Sequence, residues 1–221
     1  YWRFNRQRLD AESIRDALLH VSGGLDPKIG GQSLSLDDEK NDRRTLYGEV
    51  SRFQVNEYLQ TFDFPNPSLT AERRFATNVP LQSLYFMNSD FVRRQADSFV
   101  RRLTAATGAN DSGEDDFPKQ FKDRAMIEAA YPLLYGRDVT EQEISRGLDF
   151  LDAQRASLLA RELEEKKMAE TDAEGEIADE SPDESDEDED PDMLAERRAS
   201  MQAWLQYARA LFSAAEFRFI D

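Results

Sequence analysis

The chain has 221 residues, of which 33% are charged and 39% hydrophobic, and its net charge is −17. A chain of this length fits one domain or little more. It contains no cysteine, which excludes disulfides, thiolate metal sites, thiol nucleophiles and a covalently attached c-type haem in this chain. No apolar run approaches the roughly 18 residues of a membrane-spanning helix.

The first predicted helix runs from Asp10 to about Val21. Asp10 is suited to the N-cap, Ile14 and Leu18 fall on one face, and the Gly-Gly pair at residues 23–24 ends the helix. Residues 25–42 are predicted to form a loop. Residues 44–53 are the best strand candidate, because bulky side chains recur through them.

The middle of the chain begins with a rigid turn at residues 62–67, where two prolines fix their own backbone angles and disfavour helix before them. Pro80 suits the first position of a short helix. Ser89 is predicted to cap a longer helix that buries Val92 and Phe99 and ends at Gly108.

Three more helices are predicted in the second half. One spans residues 119–134 and should bend or shorten at Pro132. The next begins at the Thr140–Glu143 capping box and continues to about residue 167. The last carries apolar residues at helical spacing as far as Leu211, and Ser213–Glu216 matches a second capping box.

Residues 170–192 contain 14 acidic residues and no Lys or Arg. Without these 14 charges, the net charge of −17 becomes −3 over the rest of the chain. Such a run repels itself and buries little, so we predict a disordered, low-complexity insertion that maintains solubility. The alternative is weak binding of a cation or a basic partner. The helices on either side are expected to pair as an antiparallel hairpin.

These elements predict a mainly α fold, a multi-helix domain with at most a small sheet or hairpin and the disordered acidic loop. We expect residues 1–221 to form one domain. Because the chain begins with Tyr1 rather than Met, we also expect it to be a piece of a longer protein.

Several phrases of the sequence occur together in one known family. They are Asn-Arg-Gln-Arg-Leu-Asp-Ala-Glu-Ser-Ile-Arg-Asp-Ala-Leu-Leu at residues 5–19 with Val-Ser-Gly at 21–23, Arg-Arg-Thr-Leu-Tyr at 43–47, Phe-Asp-Phe-Pro-Asn-Pro at 62–67, the segment 73–88 with Thr77, Pro80, Gln-Ser-Leu at 82–84 and Met-Asn at 87–88, Gly-Arg at 136–137 with Thr140 and Glu143, and Glu-Phe at 216–217. With these phrases the chain resembles the planctomycete-specific domain 1 family, also called domain of unknown function 1553.

The resemblance implies a C-terminal domain of a long, exported, multidomain protein. It also implies that residues 1–221 are a C-terminal fragment of a longer family domain. Its partners would then be companion domains of the same parent protein, and haem c would sit in a cytochrome c-like domain elsewhere in that parent, with no cofactor in this chain. The resemblance implies no established biochemical activity.

The sequence offers few candidates for chemistry. His20 is the only histidine, and its place near the end of the first helix favours a role beside the helix dipole over catalysis. No phosphate-binding loop, dinucleotide motif or zinc-protease motif occurs. The paired arginines lie in a slightly acidic globular part, so we predict no nucleic-acid binding. With no cysteine and one histidine, we also predict no metal site.

The candidate binding site lies in polar loops, where binding residues concentrate. Loop arginines can clamp a carboxylate or an acidic sugar. The competing interpretation is that Asp63 pairs with an arginine to hold the turn at residues 62–67. The candidate site residues are Arg43, Arg44, Asp63, Arg73, Arg74 and Asn88.

Two functions therefore remain open. The first is a structural or interaction module that packs on companion domains, and the shortage of His, Cys and cofactor motifs favours it. The second is part of an extracellular carbohydrate-active or redox enzyme, with a site formed by the loop Arg, Asp and Asn residues. Convergence of Arg44, Asp63, Arg74 and Asn88 in one pocket would support the enzyme.

Overall fold

The computed structural model describes residues 6–108, 119–173 and 191–220. Within these ranges the chain forms eight α-helices, one 3-10 helix and one two-stranded antiparallel sheet, which confirms the predicted mainly α fold. The elements are β1 (Gln7–Arg8), α1 (Ala11–Ser22), a 3-10 helix (Thr45–Tyr47), α2 (Glu57–Thr61), α3 (Pro80–Asn88), α4 (Asp90–Thr107), α5 (Lys119–Tyr135), α6 (Glu141–Ala173), α7 (Pro191–Ser213), α8 (Ala215–Arg218) and β2 (Phe219–Ile220).

Helix α1 begins and ends where its sequence predicts. The Asp10 carboxylate accepts a hydrogen bond of 2.9 Å from the Ser13 amide, so it satisfies one of the free donors of the first turn. Gly23 ends the helix at a φ of 84°, a left-handed conformation that glycine adopts without a Cβ clash. Ile14 and Leu18 are fully buried on the inner face.

The core of the larger part of the chain lies between α1, α4 and α5. Helix α4 packs against both of the others, and the fully buried Phe99 and Leu103 lie on its inner face. The Phe99 ring contacts Phe212 at a centroid distance of 5.5 Å, and Phe212 contacts Phe217 at 5.6 Å. The chain thus closes its C-terminal residues onto α4 through aromatic contacts.

A second aromatic cluster joins α2 to α3. Phe62 contacts Tyr58, Tyr85 and Phe86 at centroid distances of 5.0, 5.4 and 5.9 Å. Tyr58 also donates its hydroxyl hydrogen to the carbonyl of Ala11, and burial raises its pKa well above the usual value. Helix α2, which the sequence analysis missed, is therefore fixed by tertiary contacts despite its five residues.

The strand predicted over residues 44–53 is wrong. Residues 45–47 form a 3-10 helix, because the amide and hydroxyl of Thr45 both donate to Asp16, at 2.6 and 2.7 Å. Only an isolated bridge between Leu34 and Gly48 resembles sheet pairing. The bulky residues behind the prediction do not pack: Leu46 is 70% exposed and Phe53 is fully exposed.

The capping predictions have mixed outcomes. At the start of α6, the Glu143 amide donates to the Thr140 hydroxyl and the Thr140 amide donates to the Glu143 carboxylate, which confirms that capping box. Ser89 lies at the N-cap of α4, but its side chain accepts no capping hydrogen bond. The box at Ser213 is wrong, because α8 begins after Ala214 without a side-chain cap. Helix α5 runs through Pro132 and ends at Tyr135.

The chain divides into two compact units. Unit 1 comprises Tyr1–Val139 and Ala208–Asp221, and unit 2 comprises Thr140–Tyr207. In unit 2, Phe150 of α6 contacts Tyr207 of α7 at a centroid distance of 5.6 Å, so these two helices touch as the predicted hairpin expects; their antiparallel pairing stays a prediction. The single domain expected over residues 1–221 stays a prediction.

The acidic run falls largely outside the described residues. Helix α6 ends at Ala173 and α7 begins at Pro191, and the expected disorder of the residues between them concerns a part of the chain that the structure does not describe. Among the helices that it does describe, none is long and apolar enough to cross a membrane.

Two phenylalanines offer a matched test of the core. Phe99→Ala should lower the free energy of unfolding by about 3–5 kcal/mol, because it leaves a cavity between α4 and the C-terminal residues. Phe53→Ala removes the same atoms from a fully exposed side chain and should change stability by less than about 0.5 kcal/mol. Urea denaturation followed by circular dichroism measures both. Equal effects would contradict the proposed core.

Candidate functional site

Asp63 lies at the centre of a polar cluster that fixes the turn at residues 62–67. Its backbone has a φ of 60°, which is uncommon for a residue other than glycine and most tolerated by Asn and Asp. Its carboxylate accepts hydrogen bonds from Arg8 Nη2 at 2.8 Å, from the Thr77 amide at 2.8 Å and from the Thr77 hydroxyl at 2.9 Å. The carboxylate is thus engaged entirely within the chain.

Arg8 also holds this turn. Its guanidinium donates to the carbonyls of Phe62 and Thr77 as well as to Asp63, and its side chain is 3% exposed. The interpretation that an arginine pairs with Asp63 to hold the turn is therefore confirmed. The partner is Arg8, 55 residues away in sequence, and not an arginine of the predicted site.

The hydrogen bonds control the ionisation of Asp63. Burial by itself would raise its pKa, but the two hydrogen bonds from Thr77 and the contact with Arg8 outweigh burial and hold the pKa below the usual value. Asp63 therefore stabilises the fold above the pKa of an unfolded Asp, and this contribution is lost as the pH falls through the lowered pKa of the folded state.

Arg74 ties an exposed loop to the N-terminus of α1. Its two Nη atoms each donate to Glu12 at 2.8 Å, in a bidentate pair, and Nη1 also lies 3.3 Å from Asp10. The hydrogen bond to Glu12 raises the pKa of Arg74. The side chain is 47% exposed, so the pair contributes little to stability and mainly positions the loop.

Arg43 and Arg44 stabilise the long loop after α1. Arg43 donates to the carbonyls of Gln32, Lys28 and Gly30, and its guanidinium lies 4.3 Å from the Tyr47 ring centroid. Arg44 Nε lies 3.5 Å from Asp16. Arg43 therefore holds the loop to itself, whereas Arg44 ties the loop to α1.

The six predicted site residues do not converge in one pocket. Asp63, Arg73 and Arg74 line one cleft of about 690 Å³. Asn88 lines a different cleft, of about 650 Å³. Arg43 and Arg44 line neither, so the arrangement expected of the enzyme is not formed, and the binding role of these residues stays a prediction.

Sequence reasoning missed two residues of the cluster, Arg8 and Thr77. Both lie in segments that the family phrases cover or adjoin, but their spacing from Asp63 gives no signal, because the contacts depend on how α1 and the loops fold together. His20 is exposed in the last turn of α1, as its sequence position indicates. Among the described residues, no group of three His, Asp or Glu side chains could hold a metal ion.

Asp63→Asn tests the pH dependence of this cluster. Asn keeps the left-handed backbone conformation but leaves Arg8 buried without a counter-charge, so the free energy of unfolding at pH 7 should fall by about 3–5 kcal/mol. The difference from the wild type should shrink as the pH falls below the pKa of an unfolded Asp, about 3.9, because the unfolded state then binds a proton that folded Asp63, with its lowered pKa, does not yet bind.

Denaturation midpoints measured from pH 7 to pH 3 provide the comparison. Asp97→Asn is the matched control, because Asp97 pairs with Arg101, whose side chain is 73% exposed. It should cost less than about 1 kcal/mol. A difference between wild type and Asp63→Asn that stays constant with pH would show that the charge of Asp63 is not involved.

The family model described as PSD1, protein of unknown function (DUF1553), matches residues 1–151. No curated protein and no solved structure matches the chain. The matched region covers most of the chain, including α1 to α5 and the whole Arg8–Asp63–Thr77 cluster. The chain therefore belongs to the DUF1553 family of proteins of unknown function.

Proposed function

We propose that this chain is a non-catalytic interaction module that docks on companion domains of its own parent protein. The observation that carries the proposal is a set of large apolar side chains left exposed in one stretch of unit 1. Their exposed fractions are Leu69 72%, Phe75 68%, Val79 39%, Leu81 58%, Leu84 48% and Met87 58%. Exposed apolar groups concentrated in this way are typical of protein–protein contact sites.

Helix α3 by itself exposes apolar side chains while it buries a polar one. Gln82 is fully buried, while Leu81 and Leu84 on the same helix are about half exposed. An amphipathic helix that packed only within its own domain would bury its leucines and expose its glutamine. The apolar side of α3 is therefore suited to a partner.

Leu81 and Leu84 also line the cleft of about 650 Å³, together with Tyr85 and Phe91. The same cleft is lined by four acidic residues, Asp37, Glu39, Glu57 and Asp90, against two arginines. One of these arginines, Arg94, already pairs with Glu39 at 2.9 Å. The cleft thus suits a partner segment with apolar residues flanked by Lys or Arg.

The enzyme alternative is less well supported. The Asp63 carboxylate already accepts hydrogen bonds from Arg8 and Thr77. The Arg74 guanidinium already donates to Glu12. Both groups would have to give up these contacts to bind a substrate. The family resemblance is the basis for proposing in addition that the parent protein is exported and carries cytochrome c-like domains beside this module, with any haem c bound there.

Side-chain oxidation by hydroxyl radicals tests the docking proposal directly. Met87 should be oxidised readily in the 221-residue chain and be protected in the full-length parent, because docking covers α3. Met168 of α6, which is 70% exposed, serves as the internal control and should be oxidised equally in both. Equal oxidation of Met87 in the two proteins would contradict docking through this surface.

A double substitution tests the same surface through the affinity of docking. Leu81→Ser combined with Leu84→Ser should leave the melting temperature of the chain nearly unchanged, because both side chains are exposed, but weaken binding of the separately expressed companion domains by about tenfold or more. Leu163→Ser, at a 58% exposed position of α6, should leave binding unchanged. Isothermal titration calorimetry on the three proteins measures this difference.

A further inference from the structure

One face of α3 borders the cleft of about 650 Å³. The side chains of this helix that line the cleft recur at the spacing i, i+3, i+4 and i+7 of a single helix face: Leu81, Leu84, Tyr85 and Asn88. Gln82 and Phe86 lie on the other side of the helix and are fully buried. Since Leu81 and Leu84 are about half exposed, α3 presents to the cleft a helical face that the described chain leaves partly uncovered.

The backbone around the cleft is bonded largely within itself. Helices α2, α3 and α4 contribute much of the lining, and their backbone groups pair within each helix. In the loop that also lines the cleft, the Asp37 amide donates to the Ser35 hydroxyl at 3.2 Å and the Lys40 amide to the Asp38 carboxylate at 3.0 Å. An extended segment buried here would find few partners for its own amides and carbonyls, whereas a helix pairs those groups internally. The cleft therefore suits a helix better than an extended chain.

Asp37 and Glu57 give the cleft an unbalanced negative charge. Both are exposed, and neither forms an ion pair with a residue that the structure describes. The Asp37 carboxylate accepts a hydrogen bond of 2.7 Å from the neutral Asn56 side chain. Neither acid is needed to cap α2, because Asn56 Oδ1 already accepts from the Tyr58 amide at 2.9 Å. The other two acidic residues of the cleft pair with arginines of α4, so Asp37 and Glu57 are left for a cation.

The negative charge continues into a second cleft, of about 520 Å³. Asp37, Asn56 and Glu57 line this cleft as well as the first, and Glu49 adds a third acid. None of the residues that line the second cleft is basic. A Lys or Arg side chain of a partner can therefore lay its apolar stem along the first cleft and place its charge where the two clefts meet.

We propose that the cleft of about 650 Å³ is the receptor for one amphipathic helix of a companion domain, with basic residues beside its apolar face. The helix lays its apolar side chains against Leu81, Leu84 and Tyr85 and directs Lys or Arg toward Asp37 and Glu57. Burial of apolar surface supplies the affinity, and the carboxylates select the charge and fix the register. Helix α3 has nine residues, about 13 Å of length, so about two and a half turns of a partner helix cover it. This inference rests on the proposed function and adds the conformation and charge of the partner segment.

The first experiment uses a synthetic helix as the probe and the intact 221-residue chain as the receptor. The probe is a fluorescein-labelled, lactam-bridged peptide of about three turns, with leucines on one helical face, lysines beside them and alanines elsewhere. Its fluorescence anisotropy should rise saturably as the chain is added. An unbridged analogue with two internal prolines, which break the helix, should bind at least about tenfold more weakly.

Two results of this titration would overturn the proposal. Equal binding of the proline analogue would show that the site does not require a helix. A bridged peptide of the same composition, with its leucines spread around the helix, controls for charge alone. Equal binding of this peptide would show that the acidic surface attracts any basic helix and that α3 selects no apolar face.

The second experiment locates the bound probe. Leu84→Ser should weaken probe binding about three- to tenfold. Glu57→Gln should weaken it about two- to fivefold at low salt, and this effect should vanish at high salt. Leu163→Ser and Glu164→Gln change exposed residues of α6 and should bind as the wild type does. Wild-type affinity at low salt in either Leu84→Ser or Glu57→Gln would overturn the assignment of the site.

Oxidation of Met87 separates a failure of this inference from a failure of the proposed function. If Met87 is protected in the full-length parent but the helical probe does not bind the chain, docking stands and the helical occupant is overturned. If the probe binds with the expected response to Leu84→Ser while Met87 is oxidised equally in both proteins, the receptor stands and docking on companion domains is contradicted.

Discussion

The buried guanidinium of Arg15 is the constraint on which the organisation of unit 1 depends. It projects from the middle of α1 and donates to the carbonyls of Arg43 and Asn41, so it fixes a long loop with little regular structure of its own. Burial lowers the pKa of Arg15, which means that the fold meets a desolvation cost at this position. The carbonyl oxygens and the Phe91 ring, 5.1 Å away, offset part of that cost.

Helix α1 is also bonded to other parts of the chain at both ends of the helix. Arg74 reaches Glu12 in the first turn, and Arg102 of α4 donates to the carbonyls of His20 and Val21 in the last turn. Cations at the C-terminal end of a helix interact favourably with its dipole. Arginine in this domain is thus largely a structural residue, and this is why a cluster of loop arginines need not form a binding site.

The features that the sequence predicted correctly are those that depend on neighbouring residues. The Asp10 cap, the Gly23 end of α1 and the Thr140 capping box each require contacts within three or four positions. The strand predicted at residues 44–53 failed because Asp16, almost 30 residues earlier, binds Thr45. The second capping box failed because Glu216 is bound by Arg137 instead, at 2.5 and 2.9 Å. The candidate site also depends on residues that are distant in sequence. The partner of Asp63 is 55 residues away, so no local pattern could reveal it.

The loop at residues 68–79 is exposed at every position. Thr77 bonds to Asp63, and Arg74 pairs with Glu12 and lies over the Phe64 ring. Ionic attraction between exposed groups weakens as salt is added, whereas sulfate and similar salts strengthen the burial of apolar surface. Raising the concentration of such a salt would therefore tighten the aromatic core around Phe62 and at the same time loosen the arginine tether of this loop. The loop and the core beneath it respond to ionic strength in opposite directions, so the loop can change conformation in a domain that otherwise stays folded.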